Sequence, residues 1–209
     1  MRDYVTWHEE YDDPTSGLSW RLSRVRDHIG EFLDRTAGQS VTAVSLCAGD
    51  GRDLIAVLAP REDAGRVAAT LVELNPELAD RARVTAQGLP VHVITADAGD
   101  PAVYVGLVPA DLVVMVGIFG NISDPDLQGL IRSAPAFCRP GATLIWSRGR
   151  DDDIHDLNDQ VRDWFAQSGF AEIAYEERDT PDRPSMGVVR YEGEPMELDP
   201  TRRLFTFIR

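Results

Sequence analysis

The sequence contains no lysine, and all 21 of its basic residues are arginine. Without a side-chain primary amine, the chain cannot form a Schiff base with a carbonyl substrate or with pyridoxal phosphate. A phosphate-binding loop of the lysine type is excluded for the same reason. The sequence therefore excludes enzymes that depend on a lysine Schiff base and enzymes with a lysine-type phosphate-binding loop.

Cysteines are scarce, and long hydrophobic runs are missing. Cys47 and Cys138 are the only cysteines, and we expect free thiols in a reducing cytoplasm rather than a disulfide. No stretch approaches the roughly 18 apolar residues of a membrane span. Residues 1–30 lack the apolar core of a signal peptide. The sequence therefore predicts a cytoplasmic protein that does not enter a membrane.

Positive charge is also in short supply, since the formal net charge is −14. Nucleic-acid-binding proteins usually carry a basic stripe, whereas the arginines here are scattered among carboxylates. A chain of 209 residues can bury one good core, and no inserted domain is visible that would grip a macromolecule. We therefore expect a small-molecule substrate and no nucleic-acid partner.

Hydrophobic periodicity predicts a single α/β domain. After an amphipathic helix, apolar runs alternate with helical segments, which gives right-handed crossovers and a doubly wound, mostly parallel sheet with helices on both faces. Residues 170–175 and 203–208 both favour strands with no helix between them, so we expect an antiparallel C-terminal pair that completes seven strands. Residues 186–191 are assigned only a short extra strand or a flap. The predicted strands are 41–47, 67–73, 91–96, 112–116, 142–147, 170–175 and 203–208, and the predicted helices are 16–36, 52–59, 76–87, 101–107, one opened by Asp124-Pro125, and 153–167.

The turn after the first predicted strand is the most informative stretch. An apolar run ends in Ala48-Gly49-Asp50-Gly51, and a helix is expected to begin near Asp53. A strand that turns sharply into a helix aims backbone N–H groups above the sheet edge, and glycine lets a ligand approach them closely. The turn therefore predicts a site for a nucleoside-like ligand.

Carboxylates end the next two predicted strands. Glu73 follows the apolar run 67–72, and Asp97 follows the run 91–96. An acid at the second strand tip accepts hydrogen bonds from both ribose hydroxyls. An acid at the third can accept from an exocyclic amine such as adenine N6. In this order, the three strand tips predict an adenosine site.

From about residue 41 to the C-terminus, the chain resembles the class I S-adenosylmethionine-dependent methyltransferases. The first motif of that family, acidic-x-Gly-x-Gly-x-Gly, falls on Ser45, Cys47, Gly49 and Gly51, so serine replaces the acid and cysteine replaces the first glycine. The resemblance implies S-adenosylmethionine as cofactor and methyl transfer to an oxygen or nitrogen of a small molecule. The cofactor-binding residues that it implies are Ser45, Cys47, Ala48, Gly49, Gly51, Glu73, Leu74, Asp97, Ala98, Gly117 and Ile118.

The same resemblance implies that residues 1–37 form a lid segment and a helix ahead of the cofactor-binding domain, residues 38–209. Trp7 is then a candidate substrate contact, and His8 and Tyr11 are candidate catalytic residues near the sulfonium. The alternative is a frayed terminus whose aromatic side chains anchor it to the domain.

The segment from Gly117 to Asn121 lies where the family has its fourth motif, beside the acceptor. We expect Asn121 to orient the acceptor and Phe119 to stack on a planar one; alternatively, Asn121 caps local backbone.

Arg148 is a candidate partner for a carboxylate of the cofactor or substrate, as is Arg21, and either is alternatively a surface arginine.

Two other functions stay open. A nicotinamide-dependent oxidoreductase would need a third glycine where Leu54 stands. A non-catalytic cofactor-binding protein is the other, because fold alone does not fix function.

No metal is expected. Residues 151–153 are acidic, but Gly117 stands where a magnesium-dependent transferase needs a second acid. Acids near a helix start are also favoured by the helix dipole.

Overall fold

The structure is a computed structural model, and it describes residues 11, 13, 15–149, 156–179 and 183–208. Strands and helices alternate along most of the chain. The strands are β1 Val41–Leu46, β2 Val67–Glu73, β3 Val91–Thr95, β4 Ala110–Met115, β5 Cys138–Gly149, β6 Phe170–Glu177 and β7 Pro184–Tyr191. The α-helices are α1 Gly17–Arg35, α2 Leu54–Leu58, α3 Pro76–Thr85, α4 Asp124–Ser133 and α5 Asn158–Gln167.

These strands form one seven-stranded sheet in the order β3-β2-β1-β4-β5-β7-β6. Strands β1 to β5 are parallel to one another, and β7 runs antiparallel to both β5 and β6. The strand order reverses beside β1, which is the point where open α/β sheets hold their ligands. The predicted mostly parallel sheet with an antiparallel C-terminal pair is confirmed.

The strand register sets the tips of β1, β2 and β3 side by side. Leu46 pairs with Val72, and Glu73 pairs with Thr95. Because parallel strands end at the same edge of the sheet, the three turns that follow them lie next to one another. This edge is where a ligand can meet residues from all three turns.

The identity of one predicted strand has to be corrected. The second member of the antiparallel pair is β7, and residues 203–208 contribute only an isolated bridge between Ile122 and Phe207. Proline and glycine within β7 weaken the sequence pattern of a strand. Gly187 is needed there, however, because a Cβ at this position would lie 2.4 Å from the indole of Trp146.

Helices cover both faces of the sheet, as predicted. On one face α1, α2 and α3 bury side chains such as Ile29 and Leu54. On the other face α4 and α5 bury Leu130 and Phe165. The central strands β1 and β4 are therefore buried on both sides, which accounts for their nearly continuous apolar runs.

Side chains cap the first turns of α2 and α3, the helices that follow the tips of β1 and β2. Asp53 accepts a hydrogen bond from the Leu54 N–H at 2.6 Å, and Asn75 accepts one from the Glu77 N–H at 2.9 Å. Pro76 follows Asn75 in the first helical turn, where its missing N–H costs nothing. The caps fix the geometry of both turns at the sheet edge.

Helix α5 begins later than the periodicity predicts. Its first helical residue is Asn158 rather than residue 153, and residues 156 and 157 are not helical. Asp156 accepts hydrogen bonds from the Asn158 backbone N–H at 2.9 Å and from its side-chain amide at 2.8 Å. Such local bonds compete with a helical turn and set the later start.

The structure bears on two predictions made from composition, which concern the cysteines and membrane spans. Cys47 and Cys138 are both free thiols. None of the helices formed by the described residues is long and apolar enough to cross a membrane.

A half-buried ionic cluster ties α1 to β6. The Glu176 carboxylate accepts a hydrogen bond from Arg24 Nη2 at 2.9 Å and lies 2.6 Å from His28 Nε2. The hydrogen bond from Arg24 is the largest cause that lowers the pKa of Glu176. Burial raises this pKa, and the bond to His28 lowers it further, so the net shift is downward. The cluster fixes α1 against the sheet.

Replacement of Glu176 by glutamine is expected to reduce the free energy of unfolding by about 1–2 kcal/mol near neutral pH. The lowered pKa means that the stabilisation is fully present above the ordinary value of 4.5 and is lost as the pH falls through the folded-state value. Urea unfolding at a series of pH values therefore shows a difference from wild type that closes on acidification. Glu62→Gln, at an exposed position, is the control, and a difference that is independent of pH would contradict the assignment.

Candidate functional site

A cavity of about 460 Å³ opens at the carboxyl edge of the parallel strands. Its volume is in the range of small-molecule sites. The lining comes from the turns after β1, β2, β3 and β4, from α1, and from the C-terminal segment. The lining residues are Tyr11, Arg21, Leu22, Val25, Ser45, Cys47, Ala48, Gly49, Asp50, Arg52, Asp53, Glu73, Leu74, Asn75, Pro76, Leu78, Asp97, Ala98, Val116, Gly117 and Phe207.

The turn after β1 takes left-handed backbone conformations at alternate residues. The φ angles are 53° at Cys47, 59° at Gly49 and 71° at Gly51. A left-handed conformation is uncommon for a residue with a Cβ such as Cys47, and the family motif has glycine there. The chain thus keeps the sharp turn in spite of the replaced glycine.

Gly51 does not line the cavity, although it was predicted to bind the cofactor. A Cβ there would lie 2.5 Å from Ile55 Cδ1 and 2.6 Å from Leu71 Cδ2. The residue is glycine because α2 packs closely on β2 beneath the turn. Its role in the structure is packing, and the ligand-facing side of the turn is formed by Ala48 and Gly49.

The Glu73 carboxylate joins the turns after β1 and β2. Oε2 accepts a hydrogen bond from the Gly49 N–H at 2.8 Å, and Oε1 accepts one from the Asn75 N–H at 2.7 Å. Only 9% of Glu73 is exposed, and that part faces the cavity. A carboxylate oxygen has two lone pairs, so each can accept a further bond from a ligand hydroxyl.

Asp97 stands at the tip of β3 with both oxygens engaged. Oδ1 accepts a hydrogen bond from the Gly99 N–H at 2.8 Å, and Oδ2 accepts one from Arg203 at 2.6 Å. Burial opposes ionisation of Asp97, but these two bonds outweigh it and lower its pKa. The group is therefore an anionic acceptor at neutral pH.

The hydroxyl group of Ser45 is buried and forms no hydrogen bond with the described part of the protein. The residue is 1% exposed and lines the cavity. Its Oγ has no hydrogen-bond partner in the part of the chain that the structure describes. Because an unsatisfied buried hydroxyl costs free energy, a polar group of a ligand would improve this position.

Cys47 lines the same cavity as the two acids. Burial raises the pKa of its thiol well above the ordinary value, and the negative charges of Glu73 and Asp97 raise it further. The neutral thiol is a poor nucleophile, because reactivity belongs to the thiolate. Cys47 therefore provides a small lining side chain rather than a reacting group.

Tyr11 lies at the mouth of the cavity, between two arginines. Its hydroxyl accepts a hydrogen bond from Arg21 Nη2 at 2.7 Å, and the Arg52 guanidinium lies 4.5 Å from the centre of its ring. Arg52 also forms an ion pair with Asp50 at 2.6 Å. The other predicted residues of this segment, Trp7 and His8, lie outside the described residues.

The loop after β4 differs from its prediction. Phe119 was expected to stack on a substrate, but it is 1% exposed and stacks in the core on Trp146, with ring centres 5.7 Å apart. Ile118 is fully buried. The Asn121 side chain donates to the Gly117 carbonyl at 2.9 Å, as the alternative of a local cap predicts. Of this loop, Gly117 lines the cavity.

Arg148 does not line the cavity either. It is 7% exposed at the end of β5, and its guanidinium donates to the Gly149 carbonyl at 3.2 Å. No group of three or more metal-ligating side chains occurs among the residues described. The acidic residues 151–153 lie outside that part.

Residues 203–208, which we call the C-terminal strap, contribute to the site and were missed by the sequence analysis. Phe207 lines the cavity, and Arg203 holds Asp97. The apolar residues of the strap gave a strand pattern, and that pattern carries no information on which distant loop the segment contacts.

No protein-family model and no curated protein sequence matches the chain, but many solved structures do. Magnesium protoporphyrin IX methyltransferase (ChlM) from Synechocystis PCC 6803, solved with bound S-adenosylmethionine, matches with a TM-score of 0.70 at 12% identity, over 90% of this chain and 91% of that one. The 1,6-didemethyltoxoflavin N1-methyltransferase of Burkholderia thailandensis, solved with bound S-adenosylhomocysteine, matches with a TM-score of 0.63 at 16% identity, over 91% of this chain and 86% of that one. The chain therefore has the fold of the class I S-adenosylmethionine-dependent methyltransferases.

Proposed function

We propose that the protein is an S-adenosylmethionine-dependent methyltransferase that acts on an oxygen or nitrogen atom of a small molecule. The observation that carries the proposal is the placement of Glu73 and Asp97 at neighbouring strand tips around one cavity. The two neighbours described above were solved with S-adenosylmethionine or S-adenosylhomocysteine. The cofactor supplies an electrophilic methyl group on a positively charged sulfur.

The residues of the cavity fit the parts of this cofactor one by one. Glu73 accepts hydrogen bonds from the ribose hydroxyls, and Asp97 accepts from the exocyclic amine of adenine. Leu74 is 61% exposed at the rim and offers an apolar surface to the purine. The Ser45 hydroxyl accepts from the amino group at the methionine end, where the family has an acid.

At the acceptor end, the chain works by positioning. Holding two reactants in line supplies much of the barrier reduction for a transfer between them, so the fixed turns at Ala48 and Gly117 set the geometry. We propose that residues 1–37 act as a lid and a helix, with Tyr11 at the mouth of the cavity. His8 and Tyr11 are the candidate groups for orienting the acceptor or taking its proton.

Two features favour this function over its alternatives. Leu54 is fully buried at the start of α2, where a dinucleotide-binding turn needs glycine. The net charge of −14 favours a small-molecule acceptor over a nucleic acid. With two free thiols, we place the enzyme in a reducing cytoplasm.

Thermal unfolding with added ligands tests the cofactor. At a free concentration about 100 times Kd, a ligand stabilises a protein by about 2.7 kcal/mol, which for a domain of this size raises Tm by roughly 5–10 °C. We expect this shift with S-adenosylmethionine and S-adenosylhomocysteine, and none with NAD or NADP.

Glu73→Gln is expected to weaken binding of S-adenosylhomocysteine by at least about tenfold, because a charged acceptor of two hydroxyls is lost. Glu77→Gln is the matched control, since Glu77 is exposed on α3 and pairs with Arg81. Isothermal titration calorimetry gives both affinities. A shift with NAD, or unchanged affinity in Glu73→Gln, would refute the proposed function.

Ser45→Ala is expected to leave Tm of the ligand-free protein unchanged or slightly raised, because the hydroxyl that it removes has no partner among the described residues. The same change is expected to weaken S-adenosylhomocysteine binding roughly three- to tenfold, as for the loss of one hydrogen bond. Differential scanning calorimetry and titration calorimetry measure the two effects.

Ser185→Ala is the control for Ser45→Ala. Ser185 is fully buried in β7, and its hydroxyl donates to the Arg148 carbonyl at 2.7 Å. Its loss leaves a buried carbonyl short of a donor and is expected to cost about 1–3 kcal/mol of stability without changing ligand affinity. Equal destabilisation by both changes would show that the Ser45 hydroxyl serves the fold.

A further inference from the structure

We propose that the C-terminal strap forms the wall of the cavity at its adenosine end. In this arrangement Phe207 contacts the purine, and Arg203 positions Asp97 for the exocyclic amine. The inference rests on the proposed function and adds to it two residues outside the strand-tip motifs.

Backbone hydrogen bonds attach the strap to two strand tips at once. The Leu204 N–H donates to the Gly99 carbonyl at 3.0 Å, just beyond β3. The Ile208 N–H donates to the Asn121 carbonyl at 2.9 Å, in the loop after β4. The strap therefore spans the gap between these loops and closes one side of the cavity.

The sequence of the loop after β3 makes room for the strap. A Cβ at Gly99 would lie 2.3 Å from the carbonyl oxygen of Phe205, so glycine permits the close approach of the two backbones. Leu204 and Phe205 are 5% and 2% exposed, respectively. Two buried side chains thus anchor the strap where its next residues reach the cavity.

Phe207 is held in place on the cavity side of the strap. It lines the same cavity as Asp97, Ala98 and Leu74. Its ring meets the ring of Phe205 edge to face, at 5.5 Å between centres and 82° between planes. An aromatic face fixed beside the proposed adenine acceptor fits a flat purine, because bases stack on aromatic side chains.

Arg203 fixes the orientation of the Asp97 carboxylate. Its Nη2 donates to Asp97 Oδ2 at 2.6 Å, and its Nε donates to Thr206 Oγ1 at 2.9 Å. The bond to Thr206 ties the guanidinium to the strap itself. Arg203 is therefore a positioning residue, which acts on the ligand through Asp97.

The test compares two ligands, S-adenosylhomocysteine and its inosine analogue, which lacks the exocyclic amine. Binding constants are measured by titration calorimetry. Phe207→Ala is expected to weaken both ligands equally, by about ten- to a hundredfold, since stacking tolerates any base. Phe207→Tyr keeps the ring and is expected to bind both ligands as wild type does. Phe207→Leu serves as a second variant without a ring if Phe207→Ala does not fold.

Ile208→Ala is the matched control, because the Ile208 side chain is 61% exposed on the same strap and its backbone bond is kept. It is expected to bind both ligands as tightly as wild type. Equal affinities in Phe207→Ala and Ile208→Ala would overturn the role of Phe207.

Arg203→Ala is expected to lower the preference for the adenine ligand over the inosine ligand, and Arg203→Lys is expected to restore part of it. A merely structural role of Arg203 would weaken both ligands alike and leave the preference unchanged. Wild-type protein that binds neither ligand would refute the proposed function instead, so the two failures are distinguishable.

Discussion

The Glu73 carboxylate is the constraint on which the site depends. It accepts backbone N–H groups from the turn after β1 and from the turn after β2, so one anionic side chain sets the distance between two loops. The parallel register delivers both loops to the same edge of the sheet. The Asn75 cap and Pro76 then start α3 without moving the acid. A change at Glu73 therefore alters the cavity as well as one ligand contact.

Most of the fold could be predicted from the sequence because buried parallel strands carry strong patterns. The apolar runs in β1 and β2 are nearly continuous and end in polar turns. Only the second member of the C-terminal strand pair was assigned wrongly, to residues 203–208 instead of β7, because Gly187 and Pro184 interrupt the pattern of β7, while the strap has the apolar residues of a strand. The feature that makes β7 rather than the strap the sheet strand is the packing of Trp146 over Gly187, a contact between residues far apart in the sequence.

The site was predicted less completely than the fold. Residues at strand ends, such as Ser45, Glu73 and Asp97, do line the cavity, since a strand end fixes where its side chains lie. The sequence pattern of a strand does not fix the path of the loop that follows it. After Gly117, whose φ is 80°, the chain turns Phe119 into the core, and a sequence pattern does not distinguish this course from one into the cavity.

Three neighbouring strand tips are expected to hold an adenosine, and a crystal structure with S-adenosylhomocysteine shows where this ligand lies. Electron density is expected for the ribose beside Glu73 and for the purine between Asp97 and Phe207. Density for the ligand at any other place on the molecule, or a purine directed away from β3, would contradict this expectation.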